Sequence, residues 1–337
     1  MSAIQHISSI GHNCINAEAS SKWYRETLGF NVLDHTRFSG DWLAELLGVP
    51  RASIGRRRLG LGQETLELWQ FDPEITAGDD NDLVSQVSCP AGNDAAFQHI
   101  CMITTDLHQA FSAGACHSRQ ISREPQRLPD WNPGAGGIWA VKFQDPDGYP
   151  LELLQFPPGK GDRRWQRGQH SSEIIGRGEA QPASTLCLGL DHTAISIKDT
   201  QRSLRFYVDI LGMDMASQGH NHGPEQDRMD GMVGTDVLIS SLQPAGKGMG
   251  IELLNYRKPD GGEGPRTNPQ AWDRNEWRIC AVVDDLVDLH QRLQADSEIE
   301  QLGPLVKVPT GFGPGNLACQ LRDPDGHGLL LFTGSSN

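Results

Sequence analysis

No apolar run in the sequence approaches the roughly 18 residues that a membrane-spanning helix needs, which argues against an integral helical membrane protein. No basic region followed by an apolar stretch opens the chain; it begins MSAIQHISSIGHNC, so no secretory leader is expected. A basic stripe is also missing. Lys and Arg total 29 against 43 Asp and Glu, a net charge of −14, and such a chain repels phosphate backbones. Neither nucleic acid nor a membrane is an expected partner. The seven cysteines (Cys14, Cys89, Cys101, Cys116, Cys187, Cys280, Cys319) are odd in number and contain no CxxC pair. Several sit in strand-like runs, where a thiol acts as a small core hydrophobe. Free thiols in a reducing cytoplasm fit this pattern better than a disulfide frame. What remains is an ordinary globular composition, 37% hydrophobic and 21% charged, over 337 residues, a length that suggests two domains.

The chain repeats itself. SIGHNCINAEASSKWYRETLGF (9–30) parallels HTAISIKDTQRSLRFYVDILGM (192–213), with Tyr24 and Tyr207 183 residues apart. QETLELWQF (63–71) parallels MGIELLNYR (249–257), with Glu67 and Glu252 185 apart. QDPDGYPLELLQF (144–156) parallels RDPDGHGLLLFTG (322–334), with Asp145 and Asp323 178 apart. Offsets this constant indicate a duplicated half-chain of about 180 residues. Each half divides again, because FQHICMITTDLHQAF (97–111) and EWRICAVVDDLVDLH (276–290) open like the two halves do. Four modules therefore start near residues 4, 97, 188 and 276. Residues 157–184, polar and bearing Gly and Pro, read as a linker, giving expected domains 1–158 and 187–337 with a linker at 159–186.

Local signals agree with this division. Asn16 and Asp199 stand where a side-chain oxygen can cap a following helix, and Leu204, Tyr207 and Leu211 recur at helical spacing before Gly212. The two Asp-Pro-Asp-Gly segments, 145–148 and 323–326, predict tight turns between strands.

The succession of strand, Tyr-bearing helix, LGF or LGM, and DPDG before LEL resembles the vicinal oxygen chelate superfamily. Glyoxalase I, methylmalonyl-CoA epimerase, extradiol dioxygenases and the fosfomycin and bleomycin resistance proteins belong to that group. The resemblance implies an α+β fold of four βαβββ modules, paired into two cup-shaped mixed sheets. In metal-using members a cup holds a divalent ion on residues from the first and last strands of each module. Such nitrogen–oxygen sites suit Fe, Mn, Ni, Zn or Mg.

Carried onto this sequence, the pattern gives Ser9 and Glu67 in module one, His99 and Glu152 in module two, His192 and Glu252 in module three, and Arg278 and Leu330 in module four. Pairing modules within each half predicts an N-terminal cup with Glu67, His99 and Glu152 as metal ligands. It leaves a degenerate C-terminal cup with His192, Glu252 and Arg278, whose fixed positive charge opposes a cation. Exchange of modules between chains is open, so a homodimer is also compatible. His12 lies an odd number of residues from Ser9 and should face away from the cup, though GHNCIN looks like the strand openings of relatives. Trp131 and Trp42 are candidates for a pocket mouth, and His220 and His222 for a ligand pair or a loop rim. Each also has a structural reading: a strand histidine can be a satisfied core group, and a buried glutamate can pair with Arg or His instead of a metal.

The functional expectation is an enzyme of lyase or isomerase type. A divalent ion would polarise a small enolisable carbonyl substrate, and Glu67 or Glu152 would move the adjacent proton. The alternative is a metal-free protein that sequesters a small molecule. Ring-cleaving dioxygenase is disfavoured, because NPGAGGIWAVKFQ before Asp145 has neither His nor Tyr and no cup, as paired, holds two in-register histidines.

Overall fold

Asn16 accepts hydrogen bonds from the N–H groups of Glu18 and Ala19 (3.1 and 3.0 Å) and so starts the helix Ala17–Leu28, which Gly29 closes at φ 80°. Asp199 does the same for Gln201 and Arg202 at the head of Thr200–Leu204, which continues as a π-helical turn through Ile210. The capping signals in the sequence thus act at both repeats.

A computed structural model describes residues 3–72, 90–115, 118–166, 186–246, 248–266 and 269–334. Cys89, Cys116 and most of the expected linker lie outside the described residues; the other five cysteines are unpaired and buried. Module one supplies β1 (Ile4–Asn13), β2 (Asn31–Ser39), β3 (Ser53–Leu61) and β4 (Glu64–Phe71). Module two supplies β5 (Gln98–Thr104), β6 (Gln126–Arg127), β7 (Trp139–Gln144) and β8 (Pro150–Gln155). Module three supplies β9 (Cys187–Ser196), β10 (Asp214–His222), β11 (Asp236–Gln243) and β12 (Gly250–Lys258). Module four supplies β13 (Trp277–Val283), β14 (Val306–Lys307), β15 (Leu317–Arg322) and β16 (Gly328–Thr333). No described helix is long and apolar enough to cross a membrane.

The strands form two curled eight-stranded mixed sheets, as the α+β, four-module expectation requires. Their composition corrects the expected pairing. One sheet runs β14-β15-β16-β13-β1-β4-β3-β2, and the other β10-β11-β12-β9-β5-β8-β7-β6. Module one pairs with module four, and module two with module three. The first strands meet antiparallel at each seam, β1 on β13 and β5 on β9, while the first and last strands within a module run parallel. Neither half of the chain makes a cup by itself. A repeat of constant offset is equally compatible with either pairing, so the sequence register survives while the assignment to cups changes.

The DPDG segments turn between β7 and β8 and between β15 and β16. Asp145 Oδ1 accepts from the N–H of Asp147 and Tyr149 (2.9 and 2.8 Å), with Gly148 at φ 92°. Asp323 repeats this with Asp325 and His327, and Gly326 stands at φ 91°. Glycine suits these positions because φ is positive. The same turns join the two sheets. Tyr24 donates to Asp145 at 2.8 Å from the first sheet to the second, and Tyr207 donates to Asp323 at 3.0 Å in the other direction. An apolar core holding Ile10 and Leu66 from one sheet and Ile100 and Leu151 from the other surrounds these latches.

The two concave faces differ in what covers them. Over the first sheet, the helix Asp41–Leu47 buries Leu43, Leu46 and Leu47 in one cluster with Trp69, Phe312 and Leu330. Over the second, the helix Pro224–Asp230 buries Gln226, Met229 and Asp230, and the apolar packing splits into separate clusters around Cys101 and around Phe97. One cup is filled and the other is left open along its middle.

Candidate metal centre

Antiparallel pairing of β5 with β9 sets His99 opposite Ala194 and Cys101 opposite His192, so both histidines project from the same seam. Parallel pairing sets Glu152 of β8 beside Cys101, and Glu252 of β12 beside Ala194. Four side chains from four strands converge. His99 Nε2 lies 3.2 Å from Glu152 Oε2, His192 Nε2 lies 3.7 Å from Glu152 Oε2, and His192 Nε2 lies 3.4 Å from Glu252 Oε2. One donor atom from each of His99, Glu152 and His192 can be chosen so that all lie within 4.8 Å of one another.

These residues fit a divalent ion on three counts. Two ligands bound at about 2.0–2.2 Å to one ion stand roughly 3–4.3 Å apart, and all three separations fall in that range. Neither ring nitrogen of His99, nor Nε2 of His192, completes an aligned hydrogen bond, although all are buried. Orphaned buried nitrogens of this kind are costly unless something occupies them. Finally, His192 Nδ1 is 3.0 Å from Asp191 Oδ2, which makes Nδ1 the donor and leaves Nε2 as the lone-pair atom. That is the carboxylate–histidine arrangement that orients metal-binding imidazoles. Two nitrogens and two carboxylates suit Fe, Mn, Ni, Zn or Mg and leave further positions open.

Charge supports the same reading. Burial draws His192 down, but Glu252, Asp191 and Glu152 together raise it to about 9, a measure of the negative field that a cation would meet. Burial pushes Glu152 up, yet the charges of His99, Lys142 and His192 hold it at about 2. His99 is lowered by burial. Lys142, opposite Glu152 on β7, is buried and donates to Asp230 at 2.7 Å. That carboxylate keeps it charged against the effect of burial. Glu252 is less enclosed, its side chain 24% exposed, and Ser241 Oγ holds its Oε1 at 2.9 Å.

The centre lies in a cleft with about 460 Å³ of water-accessible volume. Its walls are largely apolar, with Ile138, Leu154, Met229, Val237 and Leu254 among them. Trp131 is at the rim, 52% exposed and stacked on His222 with ring centroids 4.4 Å apart. His220 reaches Asp236 rather than the centre.

The cup assignments of Glu67 and Arg278 need correction. Glu67 does not share a wall with His99 and Glu152. It belongs to the other sheet, where Ser9 Oγ and Trp69 Nε1 donate to it (3.0 and 2.9 Å) and Arg56 lies 3.6 Å away. Arg278 likewise faces Glu67's cup, not His192 and Glu252; it donates to Asn13 Oδ1 at 2.8 Å and lies over the Trp69 ring. His12 lies on the opposite side of β1, as its odd spacing from Ser9 requires, near Tyr24 and Asp145 and packed on Tyr149, away from either cup. Trp42 packs on Phe38 and Phe312 in the filled cup. The objection that no cup holds two in-register histidines also lapses, since His99 and His192 share one.

The signal that could have revealed the pairing was in the sequence. Modules two and three each keep a His and a Glu, whereas modules one and four have both departed from that set. Shared completeness marks the modules that face each other.

The sequence model of the Glyoxalase/Bleomycin resistance protein/Dioxygenase superfamily matches residues 4–153 and 189–331. Among solved structures, the chain resembles glyoxalase I from Zea mays, at 17% identity and a TM-score of 0.56, covering 98% of this chain and 92% of that one. It also resembles a candidate dioxygenase from Bacillus subtilis, at 14% identity and a TM-score of 0.54, covering 99% of this chain and 87% of the other. At such identities the likeness concerns the fold. A comparison with curated proteins finds no match.

Proposed function

The chain belongs to the Glyoxalase/Bleomycin resistance protein/Dioxygenase superfamily, and from that premise we propose a divalent-metal enzyme that shifts a proton beside a carbonyl, a lyase or isomerase reaction. The observation that carries this reading is the meeting of His99, Glu152, His192 and Glu252 at the floor of an apolar cleft, with both ring nitrogens of His99 and Nε2 of His192 lacking an aligned hydrogen bond. A bound divalent ion would supply Lewis acidity to two vicinal oxygens of the substrate. His99, Glu152 and His192 would hold it, with Asp191 fixing the ring of His192. The proton falls to a carboxylate at the edge of the centre, and Glu252 suits this better than Glu152. Glu152 is held low by its cationic neighbours and is a weak base, whereas Glu252 faces the cleft and is steadied by Ser241. The described cysteines, free and buried, support a reducing compartment such as the cytoplasm.

Deuterium uptake next to the carbonyl of α-hydroxycarbonyl compounds, beginning with hydroxyacetone, tests the reading on metal-loaded protein in D2O. Accelerated exchange is expected, falling on the order of 10²–10⁴-fold in Glu252→Gln while the ion stays bound. Exchange that survives this substitution contradicts the role of Glu252. Absence of any ion favours the sequestering alternative.

A second reading, oxygen-dependent ring cleavage, gains from the two histidines in one cup. Three protein ligands leave room for a chelating substrate and dioxygen together, whereas a fourth ligand, Glu252, leaves only two positions on a six-coordinate ion. Oxygen uptake with catechol by the iron-loaded chain separates the two readings.

A further inference from the structure

The wall of the cleft carries a charge pattern that restricts what it can hold. Among the described residues lining it there is no arginine and one lysine. Lys142 is buried in an ion pair with Asp230, whose second oxygen also takes hydrogen bonds from Gln226 Nε2 and Tyr256 OH (2.7 and 3.1 Å). His220 lies 3.3 Å from Asp236, and His192 is surrounded by Asp191, Glu152 and Glu252. Lys142 and the lining histidines His192 and His220 therefore already face carboxylates. An anionic group on the body of a ligand would lose its water against apolar wall and meet no free positive partner. The rim offers a different contact. Asn132 donates to His220 O and Asn221 Oδ1 (3.2 and 2.6 Å), tying the loop that bears Trp131 to β10. The indole is thereby held beside His222 with about half of its surface open.

We infer that this cleft selects an uncharged, planar, apolar-bodied substrate, whose vicinal oxygens reach the His–Glu centre while its far end lies against Trp131. The inference rests on the proposed metal-dependent function and names the substrate class for it. A flat indole face favours a flat partner, and the paired cations give no reward for a carboxylate or phosphate.

Two catechols that differ at one position, used as unreactive planar mimics of the enediol that loss of the proton would form, provide the test: 4-methylcatechol and 3,4-dihydroxybenzoate, titrated anaerobically into the metal-loaded chain, with metal content measured on the same samples. The expected result is at least tenfold tighter binding of the methyl compound. Trp131→Ala should weaken that binding by roughly 2- to 12-fold, the range of an aromatic contact, with metal content unchanged. Equal or tighter binding of the carboxylate overturns the inference. So does failure of the loaded chain to bind either compound, or an unaltered affinity in Trp131→Ala. An absence of metal in the wild-type samples removes the proposed function as well, whereas metal present with a carboxylate preference removes only the substrate class.

Discussion

His99 and His192 are 93 positions apart in sequence, yet their rings meet edge-on across the β5–β9 seam with centroids 5.8 Å apart. The seam exists only where module two docks on module three, so the centre and the docking of the modules are one event. Residues on either side of the seam should therefore affect both metal affinity and stability.

Asp191 reaches the seam through His192 Nδ1, at 3.0 Å. Asp191→Asn should leave the fold intact and lower metal affinity on the order of 10–100-fold, the usual cost of losing the partner that orients a ligating imidazole. Competition with a chromophoric chelator measures this. Unchanged affinity would mean that the ring is oriented by its packing alone.

Lys142 and Asp230 form a buried ion pair, with side chains 4% and 1% exposed. Lys142→Met strands the Asp230 carboxylate and should cost about 3–5 kcal/mol in chemical denaturation. The double variant Lys142→Met/Asp230→Leu should recover most of that loss, since replacing both charges leaves nothing unpaired. A single variant within 1 kcal/mol of wild type would show that Tyr256 and Gln226 suffice to hold the acid.

His12 and Asp145 sit 3.4 Å apart with no solvent exposure, between the sheets and away from the centre. Burial, then the charge of Asp147, raises Asp145 to about 7; burial lowers His12 to about 4. The signs oppose each other. The raised acid contributes stability that is full below its unfolded value near 3.9 and lost as pH rises towards 7. The lowered histidine contributes stability that is full above 6.5 and lost as pH falls towards 4. His12→Phe should expose the acid and give a melting temperature that falls from pH 4 to 7. Asp145→Asn should expose the histidine and give one that rises over pH 4 to 6.5. Parallel profiles in the two variants would contradict this assignment.

Much of the fold was legible in the sequence because duplication writes the same physics twice. Asn16 and Asp199 cap equivalent helices, and Asp145 and Asp323 close equivalent turns. Strand register was legible too, which is why His99, Glu152, His192 and Glu252 all fall on concave faces. The repeat and its register did not name the partner of each module, because hydrogen bonding between first strands is blind to sequence order; only the His–Glu set shared by modules two and three pointed to it. Glu67 was assigned to the wrong neighbours for that reason alone. The filling of its cup was hidden for another. Arg56 donates to the carbonyls of Phe312 and Gly311, 256 and 255 residues away, and no local pattern reports such a contact.

Metal content of the chelator-treated and reloaded chain tests the central claim most directly, when compared across wild type, Glu67→Gln and His192→Ala. The pairing of modules two and three predicts one divalent ion per chain in wild type and in Glu67→Gln, and its loss in His192→Ala. Retention in His192→Ala together with loss in Glu67→Gln would contradict it, and would return the centre to the N-terminal half of the chain.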